Sequence, residues 1–220
     1  MVRVAFSEEL TQLRLQVEVM AVRVGEALSR MAQVLETGDE DVAAAALSAD
    51  DDIDAMLVSL TERCYDLLRR ESPVASDLRF VVSVLRVLEE LERIGDLALR
   101  VVKAGRDEPM LRRQPDLFRS LVDMADVAGG LYRSAVDAWA GQNLRSARTL
   151  AERNRVMDSH YSDLLSSILA LDGPGATSLA VAAVLVGRAL ERIADHTVII
   201  GERLRYLLTG DPAHLAAEVR

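Results

Sequence analysis

The residues with the most chemical potential are carboxylates that recur in two echoed heptapeptides. One is Leu91-Glu92-Arg93-Ile94-Gly95-Asp96-Leu97. The other is Leu190-Glu191-Arg192-Ile193-Ala194-Asp195-His196, 99 residues further on. Both read Leu-Glu-Arg-Ile-small-Asp, and repetition over that distance means two copies of one structural unit. Glu and Asp stand at i and i+4, so both carboxylates share one face of a helix. Like charges at this spacing cost about 0.2–0.5 kcal/mol. On a helical wheel Glu92 falls among Leu85, Leu88 and Leu99, and Glu191 among Ala180, Val184, Gly187, Ala194 and Val198. Each Glu therefore points to a face that otherwise reads as core. A carboxylate there has to be paired, coordinated or protonated.

A second acidic pair precedes each heptapeptide. Asp50 and Asp54 line up with Ala43, Leu57, Cys64 and Leu68; their counterparts Asn154 and Asp158 line up with Ala147, Ala151, Leu165 and Leu169. Four hard oxygen donors from two adjacent helices suit a cation such as Mg, Mn or Fe. The plainer reading is electrostatic. Asp50-Asp51-Asp52-Asp54 would be a solvated acidic turn, and Glu92 and Glu191 would pair with Arg93, Arg100, Arg188 or Arg192. Neither repeated Glu is followed three residues later by His, which argues against a ferritin-like di-iron oxidase. His196 reads as a surface or packing histidine, with an outer-shell role beside a metal as the alternative. His160 and His214 have no ligand-like spacing. Cys64 reads as a small buried hydrophobe, and Trp139 as packing. No glycine-rich phosphate loop and no nucleophile–base pair is readable from spacing.

Long helices must position these groups. Leu10, Leu13, Val17, Met20, Val24, Ala27, Met31 and Val34 keep a 3-4-3-4 spacing, which predicts a bundle helix over about Phe6–Glu36. Thr37-Gly38-Asp39 stops it, and a second helix is expected over about Asp39–Arg70. Ser72-Pro73 breaks that helix. A third, over about Ser76–Ala104, carries the first heptapeptide. Gly105 to Pro115 reads as a linker. The plan then repeats. Leu117, Leu121, Met124, Ala128, Leu131, Ala135 and Ala138 stripe a fourth helix that ends at Gly141-Gln142-Asn143. A fifth runs to about Leu171, Asp172-Gly173-Pro174-Gly175 makes a turn, and a sixth ends near Thr209. The expected fold is all-α: six long helices forming two tandem three-helix bundles, residues 1–108 and 109–220. Thirty-residue helices of roughly 45 Å are typical of elongated bundles.

Composition narrows the function. Of 220 residues half are hydrophobic and only 4% aromatic, and the net charge is -9. Phosphate backbones repel such a chain, so direct nucleic-acid binding is disfavoured. One cysteine excludes an intrachain disulfide framework and fits a reducing compartment. The longest charge-free stretch, Gly173 to Gly187, spans 15 residues and is too short for a bilayer. No secretory signal is visible. A soluble, cytoplasmic protein is expected.

Two three-helix repeats, each with Glu-x-x-x-Asp on its third helix in the context Leu-Glu-Arg-Ile-Gly-Asp, resemble the PhoU family of phosphate-signalling proteins. Pro73 with Asp77-Leu78-Arg79 ahead of the first heptapeptide matches the same family, and the Ala/Arg/Val-rich composition looks like an actinobacterial member. The resemblance covers about residues 5–210. It implies a cytoplasmic, non-enzymatic negative regulator that couples the phosphate ABC transporter, through its ATPase subunit, to a sensor histidine kinase. It also implies a homodimer with peripheral membrane association through partners only, and metal ions (Mg, Mn, Fe or Zn) at the acidic motifs. Carried over residue by residue, one metal set is Asp50, Asp54, Glu92 and Asp96, and the other is Asp158, Glu191 and Asp195. Three departures bear on these sets: Arg100 and Ile199 stand where the family often has Asn, and Asn154 where an Asp is usual. The alternatives are an accessory protein of a low-affinity phosphate transporter, a carboxylate-ligated metalloenzyme, and a metal-free helical adaptor.

Overall fold

Among the described residues the chain forms seven α-helices: α1 (Val2–Thr37), α2 (Glu40–Ser48), α3 (Asp50–Glu71), α4 (Ala75–Asp107), α5 (Pro115–Ala140), α6 (Leu144–Leu169) and α7 (Ala176–Thr209). This computed structural model describes the backbone of residues 2–107 and 109–219 and the side chains of 6–49, 51–106 and 110–216. No strand occurs among the described residues. The expected second helix is divided at Ala49 into α2 and α3. The other five rods run as the heptad stripes predict. Leu13, Val17, Met20, Val24, Met31 and Val34 of α1 are all fully buried, and the whole predicted stripe of α5 is buried with them.

Local chemistry sets the helix ends. Gly38 adopts φ 70°, a left-handed conformation that favours glycine, and ends α1. Asp39 then caps α2, its carboxylate accepting from the backbone N–H of Asp41 and Val42 at 3.0 and 3.1 Å. Pro115 opens α5, where a missing N–H is harmless. The Asn143 side chain accepts from the Ser146 N–H and starts α6.

The two motif-bearing helices, α4 and α7, make the most extensive helix–helix contact in the molecule. Helices α1 and α3 flank α4, and α5 and α6 flank α7. Helices α1 and α5 meet as well, where the buried Tyr132 hydroxyl donates to the Ala21 carbonyl at 2.7 Å. Burial raises the Tyr132 pKa and keeps the phenol a donor. Helix α6 lies close on α7 because Gly187 and Gly201 leave room. A Cβ at Gly187 would come within 2.2 Å of Leu164, and one at Gly201 within 2.4 Å of Leu150.

The stretch read as a linker is short and pinned. A 3-10 turn, Pro109–Arg113, buries Leu111. Its Arg112 donates to the Val34 carbonyl at 2.8 Å, to Gly105 at 2.9 Å and to Leu35 at 3.3 Å. One guanidinium thus serves last-turn carbonyls of both α1 and α4, of which Val34 also accepts from the Gly38 N–H at 2.8 Å. Arg112→Ala is expected to lower stability by about 2 kcal/mol in urea denaturation. The helix content read by circular dichroism should stay unchanged.

Candidate functional site

The predicted carboxylates occupy four helices: Asp54 on α3, Glu92 and Asp96 on α4, Asp158 on α6, Glu191 and Asp195 on α7. The Asp50 side chain lies outside the described residues. Glu92, Asp96 and Glu191 are half-buried, as expected for positions at the rim of a core face. Asp54, Asp158 and Asp195 are exposed, which corrects the core-facing placement of the first two. The break at Ala49 resets the helical phase between Ala43 and Asp54. In α6 the inward seam is Leu150, Met157 and Leu164, whereas Ala151 is exposed and Leu165 and Leu169 are 37% and 87% exposed. The wheel reading of α6 was one position out of phase.

Protein groups partner the acidic residues of the second repeat. Glu191 is ion-paired with Arg188, one turn earlier on α7. The hydrogen bond that Arg188 donates to Glu191 leads the causes that raise the Arg188 pKa. Asn154 Nδ2 donates to Asp195 Oδ1 at 3.1 Å, bridging α6 and α7. An Asp at 154 would have added repulsion here; the amide instead supplies a donor. This set does not fit a cation while Arg188 holds Glu191 and Asn154 holds Asp195. Among the described residues no three His, Cys, Asp or Glu side chains gather closely enough to chelate a metal.

The strongest polar cluster was not foreseen from the sequence. Glu90 is fully buried on α4, and His196 is 7% exposed on α7. His196 Nδ1 stands 2.6 Å from Glu90 Oε2. Arg86 approaches Glu90 Oε1 at 2.8 Å and Arg93 approaches it at 3.3 Å. On the far side of the ring, Arg192 lies 3.4 Å from His196 Nε2. Arginine can only donate and a carboxylate can only accept, so an imidazole with its proton on Nδ1 satisfies both contacts. Glu90 is therefore a carboxylate held by two guanidiniums and one imidazole N–H, across the central helix seam. A signal for this existed in the repeat itself. Under the 99-residue offset Glu90 corresponds to Ala189, and His196 to Leu97. Both apolar counterparts are buried. The two repeats thus depart from each other at both ends of one cross-seam contact.

Two single-residue readings hold. Cys64 is fully buried, and its thiol is pushed up to about 12 by desolvation, which leaves it unreactive. Trp139 is buried packing at the end of α5.

Comparison with known proteins identifies what this scaffold resembles. The family model described as PhoU domain matches twice, over residues 17–104 and 121–204. The phosphate-specific transport system accessory protein PhoU homolog 1 of Mycobacterium tuberculosis is 30% identical over 209 residues, covering 94% of this chain and 95% of that protein. The corresponding Escherichia coli accessory protein PhoU is 26% identical over 207 residues, covering 93% of this chain and 86% of that one. The crystal structure of PhoU from Pseudomonas aeruginosa superposes with a TM-score of 0.89 at 27% identity, covering 94% of this chain and all of that one. The phosphate transport system regulatory protein PhoU from Streptococcus pneumoniae gives 0.84 at 26%, covering 94% of this chain and 98% of that one.

The repeat asymmetry suggests a double-mutant cycle. Glu90→Ala and His196→Leu should each cost about 1–3 kcal/mol, because each leaves a buried polar group without its partner. The double variant restores the Ala–Leu combination of the other repeat. It should lie within about 1 kcal/mol of the wild type, since a packed apolar pair often replaces a buried ionic one without loss. Strictly additive single effects in guanidinium denaturation would refute the coupling.

Proposed function

The chain belongs to the PhoU family, and on that premise we propose that it is a cytoplasmic negative regulator of the phosphate-starvation response. Proteins of this family are phosphate-transport accessory and regulatory proteins. The observation that carries the proposal is the double family match together with relatives matched over nearly their whole length. In this reading the chain couples a phosphate ABC transporter, through its ATPase subunit, to a sensor histidine kinase, and works as a homodimer without catalysing a reaction. Residues 1–108 and 109–220 are the two repeats. Their packing along α4 and α7 can present both repeats to partners at once. Two further facts support the reading. Among the described residues no helix is long and apolar enough to cross a membrane. A net charge of -9 disfavours direct contact with DNA.

Deleting the gene should make a phosphate-starvation promoter constitutive in phosphate-rich medium, as read by a transcriptional reporter. A reporter that stays repressed in the deletion strain overturns the regulatory reading. Pull-downs from cells grown in high and low phosphate then identify the kinase and the transporter subunit.

A divalent or iron-type cation at the acidic motifs is part of the same proposal. Its support is the recurrence of Glu-x-x-x-Asp in both repeats. The first set, Asp50, Asp54, Glu92 and Asp96, is the better candidate, because a cation at Asp158, Glu191 and Asp195 first requires Arg188 and Asn154 to swing away. A bound cation would supply positive charge to the rim of the α3–α4 face. Mn should accordingly raise the melting temperature by mass action. Glu92→Ala should abolish that rise and Glu191→Ala should leave it. A melting temperature indifferent to Mg, Mn, Fe and Zn, with no metal in the purified protein, would establish a metal-free adaptor.

A further inference from the structure

Arg14 of α1 and Arg79 of α4 line one cleft of about 400 Å³, where the starts of α1 and α4 meet the ends of α5 and α7. In a chain with 35 acidic and 26 basic residues, guanidiniums usually find carboxylates. Among the described residues these two do not. Arg79 has no hydrogen-bond partner, and its Nε is buried without an acceptor. Arg14 is held in place by neutral groups. Its guanidinium lies over the Phe80 ring, 4.9 Å from the centroid. Both terminal nitrogens donate to the Gln142 amide oxygen, at 2.6 and 3.0 Å, in the amide orientation that satisfies both side chains.

The surroundings tilt the cleft further towards positive potential. Ser76 and Asp77 belong to the first turn of α4, at the positive end of a 33-residue helix dipole, with the Asp77 N–H donating to the Val74 carbonyl at 3.2 Å. Asp77 is the only carboxylate among the lining residues, against two guanidiniums. The end of α7 brings carbonyls of the opposite sign, but α7 closes there in a left-handed turn at Gly210, φ 72°, whose N–H bonds back to Tyr206. A Cβ at Gly210 would lie 3.4 Å from Arg79 Nη1, so the glycine seats the guanidinium closely against the chain. Leu10, Phe80, Leu207 and Leu208 supply an apolar wall, and Ser7 and Thr11 of α1 complete the lining. A cationic corner with an apolar wall, in a volume of this size, is the chemistry of a small-molecule site.

We propose that this cleft binds a small organic anion with an apolar body and a phosphomonoester or carboxylate head, the head held by Arg79 and Arg14 and the body against Leu207 and Leu208. The site is independent of the acidic motifs, and it stands or falls separately from the regulatory reading. Isothermal titration with four probes tests it: phenyl phosphate, benzoate, phenol and inorganic phosphate. At least one of the two aromatic anions should bind saturably with one site per chain. Phenol and inorganic phosphate, each carrying half of the recognition, should bind about tenfold more weakly or worse. The better of phenyl phosphate and benzoate identifies the head group. Arg79→Met should weaken that ligand by about tenfold or more, and Arg79→Lys should recover part of the loss. Leu208→Glu places a negative charge at the half-exposed lip, away from the core, and should also weaken binding. It decides the matter if Arg79→Met proves unstable. Absence of saturable binding by both aromatic anions at millimolar concentration overturns the proposal. So does wild-type affinity in both Arg79→Met and Leu208→Glu.

Discussion

Everything else in the molecule is arranged about the seam between α4 and α7, and within that seam the buried carboxylate of Glu90 is the most demanding group. A carboxylate removed from water loses several kcal/mol of hydration, and only charge and hydrogen bonds delivered in place offset that loss. Arg86 and Arg93 come from the same helix, one turn to either side. The His196 N–H comes from the other repeat. Two of the three partners would thus be available to α4 alone. The third exists only when α7 lies in the correct register, because a shift of one turn moves the imidazole by about 5.4 Å. The pair consequently reports on register in a way that the surrounding Leu, Ile and Ala contacts cannot, since apolar contacts tolerate sliding.

The same pair discriminates between partners. Duplicated helices with related faces can in principle pair with copies of themselves, α4 with a second α4 or α7 with a second α7. By the repeat correspondence, Glu90 would then face Leu97 and His196 would face Ala189, and each combination buries a polar group against an apolar one. The cost is a few kcal/mol per unsatisfied group. Only α4 against α7 matches both. Divergence of the two repeats at positions 90 and 196 therefore favours the intrachain pairing over exchange between chains. It does so without changing the Leu-Glu-Arg-Ile-small-Asp frame that each repeat keeps.

Much of this was legible in the sequence, and the boundary of legibility has physical causes. Heptad stripes in α1 and α5 gave helix extents and buried faces because their apolar residues are large and unbroken in phase. The fold and the family followed from the repeated heptapeptide. Phase was lost in two places. At Ala49 a helix is interrupted with neither Gly nor Pro to mark it, so the wheel carried a false register from Ala43 to Asp54. In α6 two apolar stripes compete, and the one with Leu165 and Leu169 turned out to face solvent. The Glu90–His196 contact joins residues 106 apart on different repeats, and a periodicity argument made on one helix at a time has no access to it. Comparing the repeats position by position for compensating departures would have shown it. The role of Arg112 was hidden for a different reason. A stretch with Gly, two Pro and several charges has the composition of a loose connection, and what pins it is the carbonyl acceptors of two helix ends, which sequence composition does not reveal.

The acidic motifs themselves can now be read as two solutions to one electrostatic problem. Each repeat sets a Glu and an Asp one turn apart, and in each the repulsion must be relieved. The second repeat relieves it with protein groups: Arg188 meets Glu191, and the Asn154 amide meets Asp195. Both reliefs are local to α6 and α7: an ion pair for Glu191 and a neutral amide donor for Asp195. The first repeat is built differently. Position 89, the equivalent of Arg188, is a glutamate, and it pairs with Arg86. Arg93, the heptapeptide's own cation, is engaged by Glu90. Two of the α4 arginines nearest in sequence to the first motif are therefore committed to the seam and its rim. The repeats thus keep one pattern of carboxylates, and the arginines at 86 and 93 of α4 serve the buried Glu90.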